Sequence, residues 1–172
     1  MNYRFLPDGG YPIKEQDTAN AIGWLAENVS AYGGDPNEII VLGHAPGTYL
    51  ASIVATDGAF LENAGHGLNV LRGVIVLDDA YYDVTERAGD AAFPSDADGL
   101  RRASPIFNVS AGKGIPPFLL LHAGRQEYRE QAQEMGAALE AAGVRADVVE
   151  VQGKTHLSIV GDLGKPGDAV TL

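Results

Sequence analysis

Four short runs of aliphatic strand formers constrain this chain more than any other feature: Ile39–Leu42 (IIVL), Val74–Leu77 (VIVL), Phe118–Leu121 (FLLL) and Asp147–Val151 (DVVEV). A strand with one face in water alternates apolar and polar residues, whereas a strand covered on both faces does not, and three of these runs show no alternation at all. The segments between them read as helices. Ile22, Leu25 and Val29 fall at i, i+3 and i+7 within Lys14–Tyr32, and Gly33-Gly34-Asp35-Pro36 ends that helix. Residues 48–55 (TYLASIVA) predict a second helix. A third spans Glu130–Ala142, with Ala132, Met135, Leu139 and Ala142 on one face and Gly143 as its stop. Strands alternating with helices predict an α/β fold, a mainly parallel sheet flanked by helices. Residues 1–5 (MNYRF) predict one more short strand, 6–12 a turn, and 57–70 a loop. About 83–117 is irregular and sits where a cap or lid insertion would. The whole of 1–172 is read as a single domain.

In such a sheet the functional groups sit in loops at the carboxyl ends of the strands. Those loops contain GHAPG (43–47), DDAYY (78–82), HAGRQEYRE (122–130) and QGKTHLSIV (152–160). The first has the strand, the sharp glycine turn and the helix in which hydrolases present a serine, in the pattern G-x-S-x-G. Here Ala45 stands at the serine position and Pro46 follows it. The usual chain order is nucleophile, acid, histidine, which gives position 45, an acid near 127, then His156. Thr48 and Ser52 lie inside the following helix and cannot borrow the geometry of the turn. Asp78 and Asp79 have no histidine or third carboxylate at ligand spacing, so they read as turn and capping residues and no metal site is expected. His122 reads as structural.

Net charge and cysteine count narrow the partners. A charge of −11 argues against a nucleic-acid backbone or an anionic membrane surface. With no cysteine, a disulfide framework, a thiolate metal site and a cysteine nucleophile are all excluded. No signal peptide and no apolar stretch near ~20 residues is visible, so the expected location is cytoplasmic.

The stretches NYRF-LP (2–7), AIGWLAENVSAYGGDPNEIIVLGH-x-x-G (21–47), GVIVLD (73–78), YYDV (81–84), SP (104–105), PPFLLLHAGR (116–125), ALEAAGVRADVVEVQGKTH (138–156) and DLGKPGD (162–168) together cover nearly the whole chain. The set resembles the α/β-hydrolase superfamily of carboxylesterase/lipase type, in the broad group with hormone-sensitive-lipase-like and feruloyl-esterase-like enzymes. The resemblance implies the α/β-hydrolase fold, short at its N-terminus, because the family's HGGG-type oxyanion loop lies upstream of the NYR segment. It implies that Ala45 occupies the nucleophile position and that Pro46 lacks the N–H the family aims at the oxyanion. Gln126 falls where many relatives carry aspartate, which leaves Glu127 as the candidate acid; His156 matches the family's histidine. His44, Pro46, Tyr81 and Tyr82 are candidate substrate contacts, with packing under the turn as the other reading of His44.

The expected function is that of a carboxylic ester hydrolase-family protein, impaired or inactive for want of the serine. Its expected partner is a small-molecule ester or related ligand, and no cofactor is expected. The alternatives are a binding or regulatory protein that uses the same pocket without chemistry, or a weak hydrolase in which His156 and a carboxylate activate water. An uncovered sheet edge near Tyr3–Phe5 would invite self-association.

Overall fold

The computed structural model describes residues 1–168, 170 and 171. Helix α1 (Ile13–Asn28) runs into a 3-10 turn at Val29–Tyr32, and Gly33 at φ 84° ends it. Strand β1 (Ile39–His44) turns sharply into α2 (Pro46–Thr56), followed by the short α3 (Ala59–Asn63) and strand β2 (Leu71–Leu77). Two short helices, α4 (Ala97–Ala103) and α5 (Pro105–Asn108), precede strand β3 (Phe118–His122). Helix α6 (Gln126–Ala141), strand β4 (Ala146–Glu150) and the single turn α7 (Ser158–Gly161) complete the order.

The four strands are all parallel, in the spatial order β1-β2-β3-β4. Paired positions across the sheet bring His44, Leu77, Leu121 and Val149 to one level. The loops that follow β1, β2, β3 and β4 therefore open side by side at one end, where the candidate site residues lie.

Alternation along the strands divides the side chains between two faces. Val74, Val76, Phe118 and Leu120 pack with Ile53 and Val54 of α2 and Met135 and Leu139 of α6 in the main core. Each such residue contributes about 1.5–3 kcal/mol when fully buried. Leu77 and Leu121 point the other way, into a smaller cluster with Val151 and Ile159. That second face is only partly covered: Ile40, Leu42 and Val149 remain 54%, 48% and 44% exposed.

Three expectations change. Residues 1–5 form no strand. Instead Arg4 donates to both carboxylate oxygens of Asp17, Nε at 2.9 Å and Nη2 at 2.6 Å, which ties the segment to α1 rather than to a sheet edge. Residues 57–70 are not a plain loop but hold α3 and a 3-10 turn at Leu68–Val70. The 83–117 segment holds α4 and α5, and Leu100, Ala103 and Ile115 from it are buried in the main core. Ser104 pins its two halves together, since its hydroxyl donates to the Leu100 carbonyl and accepts from the Val84 N–H, both at 2.9 Å.

The turn between β1 and α2 depends on one glycine. A Cβ at Gly43 would run into the backbone carbonyl of Gly47, which cannot move without unwinding the first turn of α2. Overpacking against backbone costs about 1–3 kcal/mol. Gly43→Ala is therefore expected to lower stability in urea melts by at least ~1 kcal/mol, while Gly47→Ala, which meets nothing within 4 Å, changes it little. Equal effects at the two positions would contradict this account of the turn.

Candidate active site

Ala45 sits at the apex of that turn with φ 52° and ψ −125°, a backbone conformation that residues with a Cβ rarely adopt. Such a residue costs about 1–3 kcal/mol and persists only where its surroundings fix it. Here the fixing groups are visible. The Ala45 N–H donates to the Leu77 carbonyl at 3.3 Å, and the Thr48 N–H donates to the Ala45 carbonyl at 2.9 Å. The buried Thr48 hydroxyl reaches the Leu77 carbonyl at 3.1 Å and the Gly43 carbonyl at 3.3 Å. That hydroxyl is committed to the backbone, so it takes no part in a nucleophile's role, as the sequence reading requires. Pro46 is the first residue of α2 and has no N–H to offer at the helix N-terminus.

The acid is where the structure departs from the chain-order argument. His156 Nδ1 bonds Asp78 Oδ2 at 2.9 Å. Asp78 follows β2, is 1% exposed, and holds its other oxygen, Oδ1, on the Ala123 N–H at 2.7 Å. Its own N–H donates to the Leu121 carbonyl at 2.8 Å, and its φ of 53° makes it the second non-glycine residue with positive φ among those described. Glu127, the candidate from counting along the chain, lies in the first turn of α6, and no hydrogen bond joins it to His156 among the described residues. Gln126 gives its amide to Glu130. The reason is lateral: β2 neighbours β3 in the sheet, so a side chain from the loop after β2 reaches the histidine as readily as one from the loop after β3. The signal was in the sequence, an aspartate directly after a buried strand and in one of the four strand-end loops, but it is also what a turn residue looks like. Asp79 does play the turn role. Its Oδ1 accepts from the Ala80 N–H at 2.7 Å, and burial pushes its carboxyl up from the usual value.

With Nδ1 held by a carboxylate, Nδ1 carries the proton and Nε2 is the basic nitrogen of His156. The His156 side chain is about one-third exposed (34%). His44 contributes by position. Its Nε2 lies 2.7 Å from the His156 backbone carbonyl, which only accepts, so Nε2 is the protonated nitrogen of His44. The two rings lie side by side with centroids 4.6 Å apart, tilted by 36°. The residue before the apex of this strand-to-helix elbow thus holds the backbone of His156. Tyr128 adds a third ring, 6.0 Å from that of His156. Of the two tyrosines expected to contact substrate, Tyr81 lines a cavity beside the elbow together with Pro46, whereas Tyr82 is 2% exposed in the main core and does not line it. His122, at the end of β3, is 3% exposed, and burial lowers its pKa.

A strained turn after the first strand, a buried carboxylate after the second and a histidine after the fourth form one constellation. A family model described as alpha/beta hydrolase fold matches residues 1–160. The chain belongs to that family. Among similar proteins, the isoprenylcysteine alpha-carbonyl methylesterase ICME of Arabidopsis thaliana is 25% identical over 92% of this chain and 42% of its own length. Esterase LipQ of Mycobacterium tuberculosis is 29% identical over 83% of this chain and 38% of its own. This hydrolase-fold chain therefore spans less than half the length of these curated relatives. Among solved structures, an esterase from Pyrobaculum calidifontis overlays with a TM-score of 0.68 at 23% identity, covering 92% of this chain and 57% of that one. An acetyl ester-xyloside bifunctional hydrolase from Caldicellulosiruptor lactoaceticus gives 0.72 at 22% identity, covering 91% and 62%. These likenesses establish the α/β-hydrolase fold, and these relatives carry the names of esterases or ester hydrolases. No helix among the described residues is long and apolar enough to cross a membrane.

The loop carrying His156 is anchored through Lys154, whose Nζ lies 2.6 Å from Asp168 Oδ1 and 3.0 Å from Asp162 Oδ2. The Lys154 ammonium, with the Thr171 hydroxyl, holds the Asp168 carboxyl at a pKa of about 2, below its usual 3.8. A lowered carboxyl pKa means stability that is present above the unfolded value and is lost as pH falls through the folded one. The stability difference between the wild-type chain and Asp168→Asn, from urea melts, is therefore expected to be full at about pH 5 and to shrink as pH falls from about 4 toward 2. A difference that stays constant over that window would show that the anchor does not depend on the Asp168 charge.

Proposed function

We propose that this chain is a carboxylic ester hydrolase-family protein that keeps the ester-binding frame but has lost the serine route of catalysis. The observation that carries this reading is Ala45 held at φ 52° and ψ −125°, the strained apex geometry, with a methyl group where a hydroxyl would be needed. The neighbouring Asp78–His156 pair supports it, since a base oriented by a buried carboxylate is the partner such a hydroxyl requires. In a working serine hydrolase, His156 would take the hydroxyl proton at Nε2 and Asp78 would stabilise the resulting imidazolium through Nδ1–H. Ala45 has no proton to give and no oxygen to attack with. Pro46 withholds one N–H from the oxyanion, and losing one such donor costs about 10²–10³ in rate.

One observation favours a second reading. The Asp78–His156 pair is assembled although the serine is absent, and a base at Nε2 can deprotonate water as well as a hydroxyl. Slow hydrolysis of activated esters by water is the activity it would give. The names of the relatives point to carboxylic esters as the ligand class, with a small-molecule ester as the partner of this site.

Fluorophosphonate labelling tests the main reading. The unmodified chain is expected not to label, and Ala45→Ser to label slowly. Ala45→Ser/Pro46→Ala should exceed the single variant, by up to about 10²-fold if the restored donor is well aimed. Labelling of the double variant should vanish with His156→Ala. Strong labelling of the unmodified chain would mean that a nucleophile other than residue 45 is at work. Residual p-nitrophenyl acetate hydrolysis that is lost equally in His156→Ala and Asp78→Asn would favour the water route.

A further inference from the structure

Beside the elbow lies a cavity of about 390 Å³ that includes Pro46 in its lining. Four parts of the chain build it: the segment before α1, the first turn of α1, the N-terminal half of α2 and the loop after β2. Aromatic rings dominate its walls, with Tyr3, Phe5, Tyr49, Tyr81 and Phe93 all lining it. They are arranged rather than merely collected. Tyr49 meets Phe93 edge to face, with centroids 5.2 Å apart at 90°, and Tyr81 meets Phe93 at 6.4 Å and 87°.

A largely buried cation, Lys14, is built into this box. The Nζ of Lys14 lies 4.8 Å from the Phe93 ring centroid and 5.4 Å from that of Tyr49, and its side chain is only 12% exposed. It donates to the Ala92 carbonyl at 2.7 Å and pairs with Glu15 Oε1 at 3.0 Å. An ammonium has three N–H donors, so one is left without a partner among the described residues. Of the other polar groups in the lining, Asp90 accepts from the Ala92 N–H through Oδ1 at 2.9 Å. The Tyr49 hydroxyl donates to the fully buried Glu15 at 2.8 Å, and burial together with that carboxylate raises the Tyr49 pKa, so the phenol stays neutral. Arg4 is held on Asp17.

We propose that this cavity takes the aryl group of a small carboxylic ester, a planar ring whose outer edge carries a hydrogen-bond acceptor for Lys14. An edge-to-face array presents ring faces and ring edges to its occupant, and only another aromatic ring can use both. An alkyl group of equal size fills the space but gains nothing from the quadrupoles. The volume is near the lower end of the roughly 300–1,000 Å³ range of ligand pockets, which suits one ring on a short linker. Pro46, the residue after Ala45, lines the cavity, so a ring seated there has its ester group within reach of the elbow. The proposal rests on the ester-site reading above and adds the class of ester.

The test uses the unmodified chain, in which the missing serine allows esters to be titrated without turnover by that route. Methyl 4-nitrophenylacetate, methyl phenylacetate, methyl cyclohexylacetate and methyl hexanoate are compared by calorimetry and by amide shifts in NMR. The phenyl ester is expected to bind about threefold or more tighter than the cyclohexyl and hexanoate esters, and the nitrophenyl ester tighter still. Phe93→Leu, which keeps most of the bulk, should erase the phenyl-over-cyclohexyl preference. Lys14→Met should erase the nitrophenyl-over-phenyl preference and leave the ring preference in place. Equal affinity for phenyl and cyclohexyl, or a ring preference that survives Phe93→Leu, overturns the proposal. So does a failure of all four esters to bind. In that last case, labelling of Ala45→Ser/Pro46→Ala would show that only the aryl pocket is wrong, and absence of labelling would remove the ester-site reading with it.

Discussion

The end of β2 is the point on which the rest of the site depends. The Leu77 carbonyl accepts from both the Ala45 N–H and the Thr48 hydroxyl, and so holds the elbow. One residue later, the Asp78 N–H is bonded to β3 and its carboxylate joins the loop after β3 to His156. A single peptide unit thus links three strand-end loops. Its position is fixed from below, since Leu77 is fully buried against Leu121, Val151 and Ile159. Movement there would disturb the turn, the acid and the histidine together.

Two strained residues meet at this point, Ala45 and Asp78, both with positive φ. At about 1–3 kcal/mol each, they take a large share of the ~5–15 kcal/mol by which a domain is stable. The parallel strands beneath offset that cost. Val74, Val76, Phe118 and Leu120 are at most 2% exposed and give the carboxyl ends of β2 and β3 little freedom. The strain at Ala45 is notable because no hydroxyl is there to make use of it. Glycine at 45 would relieve it, yet the chain has a residue with a Cβ, and the frame that would aim a side chain persists without the side chain's chemistry.

Sequence pattern made much of this legible. The four apolar runs became the four parallel strands, and each strand begins or ends within three residues of its expected bounds. Ala45 at a turn between strand and helix followed from the two glycines around it, and the backbone fate of the Thr48 hydroxyl followed from its place inside the helix. Where reading failed, the cause was that one-dimensional order does not encode lateral order. Residues 1–5 have strand composition, but a strand needs a partner, and Arg4 found Asp17 instead. Residues 83–117 lack a clear period because α4 and α5 are too short to show one.

The sequence by itself determined the fold class and the absence of a serine at position 45. Both are local facts: a period of apolar residues decides strand or helix, and a residue's identity decides whether it carries a hydroxyl or an N–H. Only the tertiary structure decided which carboxylate serves His156. Asp78 and Glu127 are both acidic, both follow a buried strand and both precede the histidine. What separates them is where the loop after β2 lies beside the loop after β3, and that depends on how neighbouring strands are hydrogen-bonded in register, which no stretch of sequence specifies alone.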